Sequence, residues 1–160
     1  MTEHLHMDTK GRWSHGVKAT CWTLDPASLR HGWCVFSRDR AVKKILVPLT
    51  RARPKRPRRK ETQQMVQMVF SAAAETVTYS TASLGGMHAS YQLIDAIRAR
   101  IARGSSQVCP IVRLRSTVYR HKKFGTVYAP DFAIVGWTDF DGDGSKRRRP
   151  LLSPSHHAAA

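Results

Sequence analysis

The ten residues Arg51 to Lys60, RARPKRPRRK, constrain this chain more than any other segment. Seven of them are cationic and two are proline. Pro54 and Pro57 each lack a backbone donor and fix φ, so the run suits neither a helix interior nor a central strand, and its like charges repel into an extended form. Folding must therefore proceed on either side of a basic loop, placed here at 50–61. A second run, Lys146 to Arg149 (KRRR), follows Asp-Gly-Asp-Gly and precedes a Pro/Ser/His/Ala tail, so residues 141–160 read as a basic, disordered terminus. Residues 1–10 also read as disordered. A single β-rich domain is left over 11–140.

The two runs carry most of the charge. The 160 residues hold 27 Lys and Arg against 11 Asp and Glu, a net of +16. Without the runs, 16 cations face the same 11 acids, a net of +5. Each Lys or Arg set on a phosphate releases condensed counterions, so dense cationic runs point to a polyanion. Arg makes up 18 of the 27 cations, and its planar fork matches phosphate and stacks on bases. A solubilising loop or an import signal is the competing reading. The 41% apolar fraction argues against a disordered basic peptide. No run has the length of a membrane span, the N-terminus lacks a signal-peptide core, and three cysteines do not make a secreted disulfide framework. The expected location is the cytoplasm, with the nucleoid as an alternative, and no membrane partner is expected.

Period-two alternation predicts a strand over Arg12–Leu24, stopped by Asp25-Pro26, with Val17, Ala19 and Cys21 on its apolar side. Strands over His31–Ser37 and Ala41–Leu49 follow, joined by the polar turn Arg38-Asp39-Arg40, and the three form an antiparallel meander. Val66–Ala72 and Val77–Thr81 predict a hairpin, although 64–75 suits a helix by composition. Gly85-Gly86 breaks the chain. Leu93, Ile94, Ile97 and Ile101 then mark a helix over Met87–Arg103 that Gly104 ends. Strands over Val108–Tyr119 and Thr126–Trp137 close the chain, linked by the basic turn Arg120–Gly125. This order predicts a mainly β (α+β) fold. It is a small antiparallel OB-like barrel with one helix between two strand groups and a basic loop inserted.

Single-strand binders set cations beside aromatic planes. Arg12, Lys18 and Trp22 share parity on the first strand, and Arg113, Arg115 and Tyr119 on a later one, opposite Val112, Leu114 and Val118. The turn after Tyr119 adds Lys122, Lys123 and Phe124. With Arg51, Arg53, Lys55, Arg56, Arg58, Arg59 and Lys60 of the first run and Lys146, Arg147, Arg148 and Arg149 of the second, these are the candidate nucleic-acid-binding residues. Trp22, Tyr119 and Phe124 are the candidate base-stackers. Trp13, Trp33, Phe36, Phe132 and Trp137 lie in apolar runs and are expected in the core.

Residues Tyr119 to Trp137, YRHKKFGTVYAPDFAIVGW, resemble a stretch in small proteins of phages and integrative elements. There a Y-x-H-K-x-[FY]-G-x-[VI]-Y-x-P-x-[FL] run leads into an apolar strand ending in Trp. GWCVFS followed by KKILVPL, and the Gly-Gly before the helix, are similar too, so the likeness covers about a third of the chain. It implies an accessory protein of a mobile element, of single-stranded-DNA-binding type.

Other chemistry finds little support. Asp139, Asp141, Asp143 and Gly144 open like a calcium loop, but its twelfth position is Pro150 and four cations intervene. Cys21, His31 and Cys34 are the only zinc-like cluster and lack paired spacing. No phosphate-loop or dinucleotide motif occurs. The expectation is a non-enzymatic protein without catalytic residues, metal or cofactor, binding single-stranded DNA ahead of RNA or duplex with little sequence preference. The rival expectations are a metal-dependent nuclease using Asp131, Asp139, Asp141 or Asp143, and a structural protein whose basic runs meet an acidic partner.

Overall fold

A computed structural model describes residues 3–14, 21–59 and 61–139. Eight strands and one α-helix follow in the order β1 (Glu3–Leu5), β2 (Trp22–Leu24), β3 (Arg30–Ser37), β4 (Arg40–Pro48), β5 (Thr62–Ala72), β6 (Glu75–Thr81), α1 (Leu84–Ala102), β7 (Cys109–His121) and β8 (Gly125–Thr138). A 3₁₀ turn, Pro26–Ser28, separates β2 from β3. The strands form one sheet ordered β1-β6-β5-β2-β7-β8, with β3 paired to β5 and β4 beyond it. The sheet curls into a half-barrel around α1. The fold is thus mainly β, of the small OB-like kind with one helix between the strand groups. One pair departs from the antiparallel expectation: β1 runs parallel to β6.

Local chemistry explains the hairpins. Arg38 and Asp39 both take positive φ (50° and 63°), the two-residue reversal whose twist suits flanking strands, so β3 and β4 pair from Ser37–Arg40 to Arg30–Pro48. Gly32 lets these strands close, because a Cβ there would overlap the Ile45 carbonyl. Gly125, at φ 72°, closes the β7–β8 turn, where His121 Nδ1 accepts the backbone N–H groups of Lys123 and Phe124.

The expected three-strand meander does not form. Asp25 caps the 3₁₀ turn by accepting from Ala27 N, and the turn breaks the strand. β5 runs past the break, pairing along one edge with β3 before it and β2 after it, while its Val69 N–H between them is taken up by the Ser28 hydroxyl. β2 is therefore wedged between β5 and β7 rather than beside β3. Trp22 and Leu24 face the core at 1% and 0% exposure, with Phe70, Val77, Tyr79 and the helix residues Leu93, Ile94 and Ile97.

Two further expectations are corrected. The N-terminus is not disordered over 3–10: Leu5 is buried in β1, and Asp8 holds the turn after it through the backbone N–H groups of Lys10 and Arg12. Gly85-Gly86 does not break the chain but lies in the first turn of α1, after the Ser83 N-cap. A Cβ on Gly85 would press on Ala129, so the glycine lets the helix start against β8. At the far end, Gly104 (φ 78°) follows the last turn, as expected.

Candidate nucleic-acid interface

The basic loop is fastened to the sheet. His31 Nε2 donates to the Arg51 carbonyl at 2.7 Å, and Trp33 Nε1 donates to the Pro54 carbonyl at 2.7 Å. His31 and Trp33 lie two apart on β3 and so share a face, which sets two anchors under one stretch of chain. Proline makes this arrangement natural, since it offers a carbonyl without needing a partner for an N–H. Arg56 Nη2 closes the loop onto the Thr62 carbonyl, and Arg53 Nη2 reaches the Tyr91 hydroxyl on α1 at 3.1 Å. The Arg53 and Arg56 guanidinium groups lie 6.0 and 5.6 Å from the centre of the Trp33 ring. The carbonyls face the protein while Arg51, Arg53, Lys55, Arg56, Arg58 and Arg59 all remain exposed. Trp33 is therefore not a core residue as expected: it is half-buried beneath two arginines.

Burial pushes the His31 imidazole below its ordinary value. The Arg51 carbonyl opposes that shift, and the charges of Arg53 and Arg98 add to it. His31 is thus neutral in the folded protein where the unfolded chain would begin to take a proton. Its contribution to stability is complete above about pH 6.5 and is lost as pH falls toward the lower folded value. His31→Gln keeps a donor for the Arg51 carbonyl and removes the titration. The gap between wild-type and variant urea midpoints should shrink from pH 7.5 to pH 5.5; a constant gap would show that His31 titrates normally.

The second cationic surface is the β7–β8 hairpin, which pairs without interruption from Val112–Ile134 to His121–Gly125. β2 flanks β7 only at Ile111 and Val112, so the hairpin outruns the sheet. Arg113, Arg115, Lys122 and Lys123 are exposed, as are Tyr119 (43%) and Phe124 (69%). Phe124 lies 4.8 Å from the His121 ring and 5.5 Å from Lys123 Nζ. Val118, expected on a buried face, is 59% exposed for the same reason. A groove of about 440 Å³ lies beside the hairpin, lined by its Tyr119, Tyr128 and Pro130, by Leu84 and Gly85 of α1 and by His6 to Thr9.

Helix α1 links the two surfaces. Leu84 lines the groove and Tyr91 holds the loop. They are two turns apart on one helix face, about 10 Å along the axis, with exposed His88 between them.

Not every expected residue joins this surface. Trp22 is excluded, because β2 turns it into the core. Val17, Ala19 and Cys21 set the expected phase of that strand, whereas the larger Trp22 and Leu24 claim the core face. Arg12 is exposed, but its charge is matched by Asp8 at 3.0 Å. Arg115 pairs with Asp131 at 3.2 Å. Lys18, Lys60 and Lys146 to Arg149 lie outside the described residues, as do Asp141 and Asp143. The zinc-like cluster fails on geometry: His31 and Cys34, three apart on one strand, point to opposite faces, and burial pushes the Cys34 thiol up. Among the described residues no group of three or more His, Cys, Asp or Glu could hold a metal, and no helix is long and apolar enough to cross a membrane.

Trp33, Tyr91, Tyr128 and Leu84 are the site residues that sequence reasoning missed. Nothing local marks them, since each acquires its role from a segment distant in the chain. No family model, curated protein or solved structure matches this chain.

Proposed function

We propose that this protein is a non-enzymatic binder of single-stranded nucleic acid, DNA ahead of RNA, with little sequence preference. The observation that carries the reading is the fastened basic loop. Holding six exposed cations on a fixed backbone is costly in self-repulsion, and a polyanion relieves that cost. A solubilising loop needs no such anchors. The exposed Tyr119 and Phe124 beside Lys122 and Lys123 supply planes for bases next to charges for phosphates. Among the described residues the one helix, α1, packs Leu93, Ile94 and Ile97 into the core, while the exposed basic loop and hairpin suit backbone and stacking contacts more than base reading. The likeness of Tyr119–Trp137 to proteins of phages and integrative elements supports an accessory role in a mobile element.

The test is fluorescence anisotropy with labelled 20-mers at about 50 mM salt, single-stranded and duplex, with and without Mg²⁺. Tighter binding of the single strand, with substrate left intact, supports the proposal; undetectable binding ends it, and cleavage makes the protein a nuclease. In the same assay Tyr119→Ala and Phe124→Ala should each weaken binding by about 1–3 kcal/mol, the usual worth of one stacked base. Unchanged affinity in both would remove the stacking role.

A further inference from the structure

We propose that Arg53, Arg98 and the Tyr91 hydroxyl form a seat for one backbone phosphate of the bound strand. The inference rests on the nucleic-acid reading above and assigns a particular contact within it.

Tyr91, Asp95 and Arg98 follow one another at four and three residues along α1, so they occupy one helix face. A long helical side chain leans back toward the N-terminus, which carries the Arg98 guanidinium over the turn of Asp95 and toward Tyr91. Arg53 comes to the same turn from the basic loop, with its Nη2 on the Tyr91 hydroxyl. Arg98 is only 17% exposed on its side chain, and its buried Nε–H has no hydrogen-bond partner. Asp95, 64% exposed, touches Arg98 Nη1 at 3.8 Å and is its one ion-pair partner among the described residues.

A buried guanidinium donor without an acceptor is unfavourable, and Arg is rarely buried unless paired. The side chain keeps 17% of its surface exposed, and a phosphate set against that part supplies the further anion this underpaired charge lacks. Arg53 has four N–H donors besides the one held by Tyr91, and Tyr91, which accepts from Arg53, keeps its own O–H to donate. The three side chains therefore offer donors in excess, facing a single carboxylate. That carboxylate disfavours a doubly charged terminal phosphate and leaves the singly charged diester as the better occupant.

The experiment follows the Arg98 Nε–H resonance in ¹⁵N-labelled full-length protein, assigned from its loss in Arg98→Lys, during titration with (dT)12 at low salt. The resonance should shift on saturation. Arg98→Met, with its fold checked by circular dichroism, should bind about five- to tenfold more weakly and lose about 0.7 from the slope of log K against log salt, the share of one single-strand phosphate. Arg98→Lys should restore the slope. A bound strand with the Arg98 resonance unmoved, or an unchanged slope in Arg98→Met, overturns the seat while leaving the binding function intact. Failure of (dT)12 to bind at all ends the wider reading. In that case inorganic phosphate decides the seat, a shift with phosphate and none with chloride retaining it and no shift removing it. A tenfold preference for 5′-phosphorylated over 5′-hydroxyl (dT)12 would overturn the assignment to a backbone phosphate.

Discussion

Trp22→Ala should destabilise the protein by about 3–5 kcal/mol, the usual cost of deleting a large aromatic side chain from a core. Trp22 is 1% exposed and packs with Leu24, Phe70 and Val112. Its strand is paired on both sides, to β5 and to β7, so the cavity cannot close by moving β2 without breaking two ladders. Urea unfolding followed by circular dichroism measures the effect. Tyr119→Ala and Phe124→Ala should change stability by about 0.5 kcal/mol or less, because both side chains stand on a hairpin beyond the core. A loss under about 1 kcal/mol for Trp22→Ala would place the residue outside the core and reopen its role as a base-stacker. If the variant keeps a folded fraction, oligonucleotide affinity per folded molecule should match wild type.

The hairpins and the helix were legible because their signals are local. The β3–β4 reversal lies in Arg38-Asp39, the β7–β8 reversal in a basic turn ending at Gly125, and the helix in the spacing of Leu93, Ile94, Ile97 and Ile101. Trp22 shows where local patterning fails. Alternation establishes that neighbours face opposite sides, but not which side is buried, and that choice was made by β5 and β7 far along the chain. Leu5 was missed for the same reason: three residues carry no periodic signal, and pairing with the distant β6 orders them. The composition of Arg51–Lys60 correctly excluded a helix or central strand. It carried no sign of the anchors, because these are side chains of His31 and Trp33 on a strand some twenty residues earlier.

The larger functional effect is expected from the basic loop. Changing Arg51, Lys55, Arg58 and Arg59 together to glutamine leaves the anchors intact, since the loop is held by backbone carbonyls and by Arg53 and Arg56. If each removed cation neutralises one phosphate, the salt slope on single strands should fall by about 2.8, and affinity at about 50 mM salt should drop by about 10²–10³-fold. Stability should hold or rise slightly, because four like charges on one short segment no longer repel. The comparison separates the two readings of a cationic run. A solvating loop would lose solubility on neutralisation and leave both affinity and slope unchanged. An interface would lose the slope first, in proportion to the charges removed, and would lose it without any fall in the urea midpoint. A slope reduced by less than about 1 would mean that these side chains sit away from the bound strand, and the hairpin with its exposed Tyr119 and Phe124 would then have to supply most of the contact.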